Sequence, residues 1–324
     1  MMSTPVAFVV ALVLGSVARR VGPALGAMDH PDDAIKVHAS SVPWLGGAAV
    51  LGGLAAGLAI EGWPLPWAAG AAIGGAFALG LADDALNVPP SLRLALQIGL
   101  GLLLAAGGLA ADALPGAVLA WTGAALLFAA TLNAVNMLDG MDGLAGGAAV
   151  LSALGLALAA ARAGHDGAMT VALVTAAAAA GFLVHNLPPA RLFLGDNGAY
   201  TLAAVLAVLV LAQARTAAGL VGAATCLGVF LVDLLLAIAR RAVGGAPITS
   251  GDRGHLYDQL RARGLSRWGT LAVCWILHVA FIAVGVQVAD TTTAVALTTV
   301  AAAWAVALAW LLWSGLVTSG RVRR

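Results

Sequence analysis

The residues of this 324-residue chain whose types and spacing could do chemistry are aspartates and asparagines in three short clusters. In GLADDALNVPP, Asp83 and Asp84 are adjacent carboxylates that repel, so a divalent metal, a Lys or an Arg is expected beside them. In NAVNMLDGMDGLAGG, Asn133, Asn136, Asp139 and Asp142 follow one another at three-residue steps, which keeps them near one face of a helix. Four polar groups facing one way could hold a nucleotide or a metal, and Gly140 and Gly143 permit a tight turn or the close approach of a phosphate. In RLFLGDNGAY, Asp196 stands between Gly195 and Asn197 at the start of an apolar run. Taken singly, a solvated helix end, an Asn/Asp-rich turn and an N-cap would account for the three. Together they suggest a Mg²⁺ diphosphate site, because Mg²⁺ takes one or two carboxylates and keeps water and substrate phosphates in its shell.

Positive partners come from two long polar stretches. MDHPDDAIKVHASSVPWLGG carries Lys36 and His38 ahead of Pro43, Gly46 and Gly47; ITSGDRGHLYDQLRARGLS carries Asp252, Arg253 and His255. Attraction to anionic headgroups is a sufficient reason for the arginines but not for His255, which sits beside a charged pair. His185, next to Asn186, reads as structural.

The elements that must position these residues are membrane helices. The chain is 61% hydrophobic and 10% charged, too few ionisable side chains for the surface of a soluble domain of this length. Its net charge of +1 leaves no basic field for nucleic acid. Eleven apolar segments are expected as helical crossings, at about 3–18, 44–61, 66–82, 92–110, 115–133, 144–161, 167–185, 197–213, 216–239, 268–290 and 293–316; none shows the alternating polarity of a β-barrel. The fold class is an all-α polytopic membrane protein with one domain over residues 1–324. Fourteen of its sixteen Lys and Arg fall in alternate loops and the C-terminal tail, which puts the N-terminus outside and the C-terminus in the cytoplasm. The first span has no positive charge before it and Arg19 and Arg20 after it, so a retained anchor is expected rather than a cleaved signal. Of the fifteen acidic residues, only Glu61, Asp112, Asp166 and Asp290 fall on the outer side, as solvated caps; the other eleven, the three clusters among them, face the cytoplasm. Cys226 and Cys274 read as small core residues.

The assembled motifs resemble the polyprenyl-phosphate N-acetylhexosamine-1-phosphate transferases of glycosyltransferase family 4. The resemblance covers nearly the whole chain. It rests on DHPDDAIKVHASSVPWLGG from Asp29 to Gly47, the Asp83–Asp84 pair, NAVNMLDGMDGLA from Asn133 to Ala145, LGDNGAY from Leu194 to Tyr200, an intramembrane Asp233, and DRGHL from Asp252 to Leu256. It implies an enzyme of the cell membrane that transfers a sugar 1-phosphate from a UDP-sugar to undecaprenyl or another polyprenyl phosphate, releases UMP, initiates cell-wall or surface-glycan synthesis, and uses Mg²⁺, with Mn²⁺ as an alternative. By the same resemblance Asp196, with Asp139 and Asn136, ligates the metal, and Asp83 and Asp84 orient or deprotonate the lipid phosphate. Asn133, Asn136, Asp139 and Asp142 shape the nucleotide pocket, and Lys36, His38, Arg253 and His255 contact phosphates or uridine, His255 as a catalytic group. A homodimer is left open.

The last loop holds a single histidine, where members similar to the phospho-muramyl-pentapeptide branch or to the enterobacterial and teichoic-acid initiators carry several. Its DRGHL start places the chain with the N-acetylglucosamine-type initiators, and the muramyl-pentapeptide branch stays as the alternative. A carrier of nucleotide-sugars or lipid-linked sugars is the reading from a different class. Carrier sites lie near the bilayer midplane between repeated halves, whereas these carboxylates gather at one side and no halves repeat.

Overall fold

The computed structural model describes residues 2–29, 41–109, 112–245 and 254–315. Lys36, His38 and Arg253 lie outside them. The described residues form thirteen helices: α1 (Ser3–Val21), α2 (Gly46–Glu61), α3 (Trp67–Leu86), α4 (Pro90–Ala106), α5 (Ala117–Leu138), α6 (Leu144–Arg162), α7 (Asp166–Asn186), α8 (Gly195–Ala212), α9 (Ala217–Thr225), α10 (Gly228–Gly244), α11 (Leu256–Ala262), α12 (Arg267–Val288) and α13 (Thr293–Trp313). Two two-residue strands, β1 (Met28–Asp29) and β2 (Val42–Pro43), pair antiparallel with Met28 opposite Pro43.

Eight of the helices are long and apolar enough to cross a membrane, and up to nine crossings result when α9 and α10, bent at their junction, are counted as one. The protein is a multi-pass, all-helical membrane protein. The expected eleven crossings exceed that number because α2, with 16 residues, and α4, with 17, are shorter than the other apolar helices. Each expected segment nevertheless meets a helix, and the polar clusters fall at the helix ends of one side of the bundle.

The bundle is built around α8. Every residue from Asn197 to Leu211 is buried, as expected for a helix apolar on all sides. It is enclosed by α2, α3, α5, α6 and α7. Small residues set these approaches, as membrane packing requires where lipid supplies no hydrophobic contrast. A Cβ on Gly80 of α3 would strike the backbone of Asp196 and Asn197, and one on Gly181 of α7 would strike the carbonyl of Phe8. By contrast α1 and α13 turn Val9, Val13, Val295 and Val306 outward.

The ninth expected span, 216–239, is not one helix: α9 and α10 meet at Cys226–Leu227 with an 82° bend. A break at membrane depth frees backbone groups that need partners inside the protein. His278 of α12, fully buried, supplies one. Its Nδ1 accepts the Val229 N–H at 3.1 Å, so its proton is on Nε2, which lies 2.8 Å from Ser152 Oγ and 3.1 Å from the Ala148 carbonyl. The Ser152 hydroxyl donates to the Cys226 carbonyl at 2.9 Å, closing the network across the break. No Pro marks this bend, and the partner is fifty residues away in sequence, which is why an uninterrupted span was expected.

Replacing His278 with Ala orphans the Val229 N–H and removes the acceptor-side partner of Ser152. A loss of about 1–3 kcal/mol is expected, measured as a lower Tm in detergent, with His278→Asn recovering part of it.

Candidate active site

The GLADDALNVPP segment ends α3 with two carboxylates that do different things. Asp83 is buried; its Oδ1 accepts the Val88 N–H at 2.9 Å, and its Oδ2 accepts from Arg93 at 2.5 Å and from the Tyr200 hydroxyl at 3.3 Å. Arg93, on the first turns of α4 after the helix-breaking Pro89–Pro90, is the cation expected beside the pair. Asp84 points to α8. Its Oδ1 accepts the Asp196 N–H at 2.9 Å, and its Oδ2 accepts the Asn197 N–H at 2.9 Å and Asn197 Nδ2 at 2.5 Å. The first N–H groups of a helix have no partner within it, and the macrodipole favours an anion there. Asp84 thus caps α8 from another helix and sets where Asp196 stands.

The second motif divides. Asn136, near the end of α5, donates Nδ2 to Asp196 Oδ1 at 2.5 Å. Asp139 follows α5 directly, and no described residue donates to its side chain. Desolvation first, then the negative charges of Asp196, Asp84 and Asp142, raise its carboxyl well above the usual carboxylate range. Asp142 accepts the Ala190 N–H at 3.1 Å, with Arg267 at 3.6 Å, and so holds the loop that precedes α8. Asn133 is not brought to the carboxylates. Its Nδ2 bonds buried Gln97 of α4 at 2.6 Å and the Ala129 carbonyl at 2.8 Å, which makes it a brace between α4 and α5. Three-residue steps drift around a 3.6-residue turn, and over the two steps from Asn133 to Asp139 that drift reaches about 120° and separates them.

The loop from 187 to 194 is tied on three sides. Asn186 Oδ1 accepts the Gly143 N–H at 2.9 Å, and its Nδ2 donates to the Leu192 carbonyl at 3.0 Å; Gly143 holds φ +78° there. The N–H of Phe193 donates to the Pro43 carbonyl, while those of Gly46 and Gly47 donate to the carbonyls of Phe193 and Leu194. Gly46 and Gly47 have to be glycine, because a Cβ would meet the Phe193 carbonyl or the Asn197 side chain. His185, one residue before Asn186, contacts the Leu12 carbonyl at 2.9 Å, in keeping with a structural role. Asn186 frames the site and was missed; its only signal was its place before the Pro188–Pro189 turn.

His255 arrives with α11. Its Nδ1 lies 2.7 Å from Oδ2 of fully buried Asp233, whose Oδ1 accepts the Leu256 N–H at 2.7 Å. Asp233, on α10, therefore orients the imidazole and caps α11 together. The His255 ring stacks on Tyr257, with centroids 5.7 Å apart and planes at 6°. A Cβ on Gly140 would strike the Tyr257 hydroxyl, so Tyr257 sits against the turn between Asp139 and Asp142. That contact joins the His255 segment to the second motif.

Asp83, Asp84, Asp139 and Asp196 thus share one end of α3, α5 and α8, close enough for their charges to act on one another. Among the described residues, no three His, Cys, Asp or Glu side chains form a metal-holding group by themselves. The donors present suit a cation that takes few protein ligands. The carboxylates of Asp139 and Asp196 and the amide of Asn136 would offer hard oxygen donors of the kind Mg²⁺ accepts alongside water and phosphate.

A search of protein-family models finds the description glycosyl transferase family 4 matched over residues 66–214, the stretch from α3 to α8 that carries Asp83, Asp84, Asn136, Asp139 and Asp196. A Bacillus subtilis protein described as a probable undecaprenyl-phosphate N-acetylglucosaminyl 1-phosphate transferase is 29% identical over 85% of this chain and 82% of its own length. Over α3 to α8 the chain is similar to glycosyl transferase family 4, and it resembles the Bacillus subtilis protein over most of its length. Other relatives match over shorter stretches. A Moorella thermoacetica phospho-N-acetylmuramoyl-pentapeptide-transferase is 45% identical over 26% of this chain and 27% of its own. A Mycobacterium leprae decaprenyl-phosphate N-acetylglucosaminephosphotransferase is 32% identical over 46% of this chain and 44% of its own. The family match omits the segments of Lys36, His38, Arg253 and His255, whereas the Bacillus subtilis alignment covers most of the chain.

Two outcomes follow from this geometry. Asp84→Asn keeps one acceptor but turns an amide toward the Asn197 donors, so a loss of about 1.5–3 kcal/mol is expected as a lower Tm. Asp139→Asn removes one negative charge from a crowded group whose folded carboxyl titrates above its unfolded value. The penalty of its ionisation grows as pH rises through that folded value, so without divalent metal this variant should melt higher than wild type at pH 8, with the difference shrinking toward pH 5. Thermal melts at the two pH values check this.

Proposed function

We propose that this protein transfers an N-acetylhexosamine 1-phosphate, N-acetylglucosamine 1-phosphate by preference, from a UDP-sugar to a polyprenyl phosphate. An oxygen of the lipid phosphate attacks the sugar-linked phosphorus of the donor; the bond from that phosphorus to the bridging oxygen breaks, and UMP leaves. The observation that carries this reading is the convergence of Asp196, Asp139 and Asn136 at the α8 N-terminus that Asp84 holds in place. Phosphoryl transfer is mainly positioning and charge neutralisation, which is what such a site offers.

In this reading Asp196 and Asp139, with Asn136, would hold Mg²⁺, which would supply neutralisation of the diphosphate charge. Asn136 orients the Asp196 carboxylate. Asp84 positions α8. Asp83 is bound by Arg93 and Tyr200, which favours positioning over proton transfer, and a phosphate monoester with a second pKa of about 6 needs little help from a base at neutral pH. His255, oriented by Asp233, is set to contact a phosphate or the nucleoside. The arginine distribution supports a site facing the cytoplasm. The names of the Bacillus subtilis and Mycobacterium leprae relatives and the DRGHL start of the last loop favour N-acetylglucosamine. The Moorella thermoacetica match keeps the muramyl-pentapeptide donor as the second reading. Nothing supports a carrier: the carboxylates stand at one end of the bundle, not at its middle.

The test is UMP release and lipid-linked product in membranes given undecaprenyl phosphate, Mg²⁺ and a panel of UDP-N-acetylhexosamines and UDP-muramyl-pentapeptide. Product from UDP-N-acetylglucosamine, lost on chelation and at least about 100-fold lower in Asp196→Asn, is the expected result. Product from the pentapeptide donor alone would overturn the sugar assignment, and no product with any donor would overturn the reaction.

A further inference from the structure

A second polar cavity lies at the same end of the bundle. It has a volume of about 370 Å³ and is lined by Ser16, Arg19 and Arg20 from the last turns of α1, Met28 and Pro43 from the β1–β2 pair, and Arg191 from the loop before α8, with Pro23 and Ser41 at its edge. It shares no residue with the carboxylate cluster. The helix α1 packs on α2 and α7, whereas the carboxylates come from α3, α5 and α8.

Three guanidinium groups around one small cavity repel one another. Each other arginine of the described site has an acid beside it, as Arg93 has Asp83 and Arg267 has Asp142. Among the described residues, Arg19, Arg20 and Arg191 have no ion pair or side-chain hydrogen bond. On β1 it is Met28 that lines the cavity, and Asp29 is not among the described lining residues. Arg191 is also held in place, since its own N–H donates to the His185 carbonyl at 2.8 Å. The guanidinium fork matches phosphate oxygens in pairs, and the backbone here presets where at least two forks start.

The geometry points to a binding site for a phosphate-bearing anion at the root of α1, formed by Arg19, Arg20 and Arg191 and separate from the carboxylate site. Its ligand is either the headgroup phosphate of an anionic membrane lipid or a free phosphate compound. Because Arg191 precedes Asp196 by five residues on a loop tied at both ends, an occupant would also brace the segment that presents Asp196.

The test uses the purified full chain in neutral detergent, read by Tm against two titrations: inorganic pyrophosphate, and mixed micelles of phosphatidylglycerol at constant ionic strength. Wild type is compared with Arg19→Gln/Arg191→Gln, and with Arg263→Gln as an arginine outside the cavity whose guanidinium bonds the Ser314 carbonyl. Wild type and Arg263→Gln should be stabilised in at least one arm, with the apparent affinity at least tenfold weaker in the double variant. Response to pyrophosphate assigns a soluble anion, and response to the lipid alone assigns a headgroup. Should the double variant not fold, exposed Arg191→Gln alone carries the comparison. No stabilisation in either arm, or equal responses from wild type and the cavity variants, would overturn the proposal.

Discussion

The arrangement depends on how a carboxylate at a membrane helix end is satisfied. Asp84 accepts two backbone N–H groups and one side-chain N–H of the next-motif helix, at 2.9, 2.9 and 2.5 Å. Ionised groups at such positions are costly without partners, and helix N-termini need acceptors. Each solves the other's problem. The result is that the most buried helix of the bundle is pinned, at its polar end, to α3. Gly80 lets the two backbones come close enough for that cap to form.

The same logic recurs. Asp233 caps α11 while holding His255, Asn186 bonds Gly143 and Leu192 together, and His278 takes the N–H freed where α9 bends into α10. In each case one buried polar side chain serves two segments distant in sequence. Asp139 departs from this, a carboxylate to which no described residue donates and around which other negative charges gather. A group so placed is where a cation would gain most, and functional sites are where such perturbation concentrates.

Division of labour within the motifs follows from this. Of the two adjacent aspartates, one is tied to Arg93 and one to α8, so only their joint position, not their chemistry, is shared. Of the four residues at three-residue steps, Asn136 and Asp139 reach the site, Asp142 fastens a neighbouring loop, and Asn133 braces α4. Sequence spacing suggested one face; side-chain partners resolved it into three duties.

Composition alone determined that this is a helical membrane protein, because too few charges remain to cover a water-facing surface. The motifs carried the resemblance to the family and marked the polar end, since their acidic and amide residues gather at the ends of the apolar runs. The crossings were legible as apolar runs; eight helices, or nine with the bent pair, reach the length of a crossing, and the shorter α2 and α4 make up the difference from eleven. Only the tertiary structure decided the bend at Cys226–Leu227, the pairing of Asp84 with α8, the contact of Tyr257 with Gly140 and the gathering of Arg19, Arg20 and Arg191 around one cavity. Each of these joins residues from separate helices, and periodicity along one helix carries no information about which neighbour its polar side chains will meet.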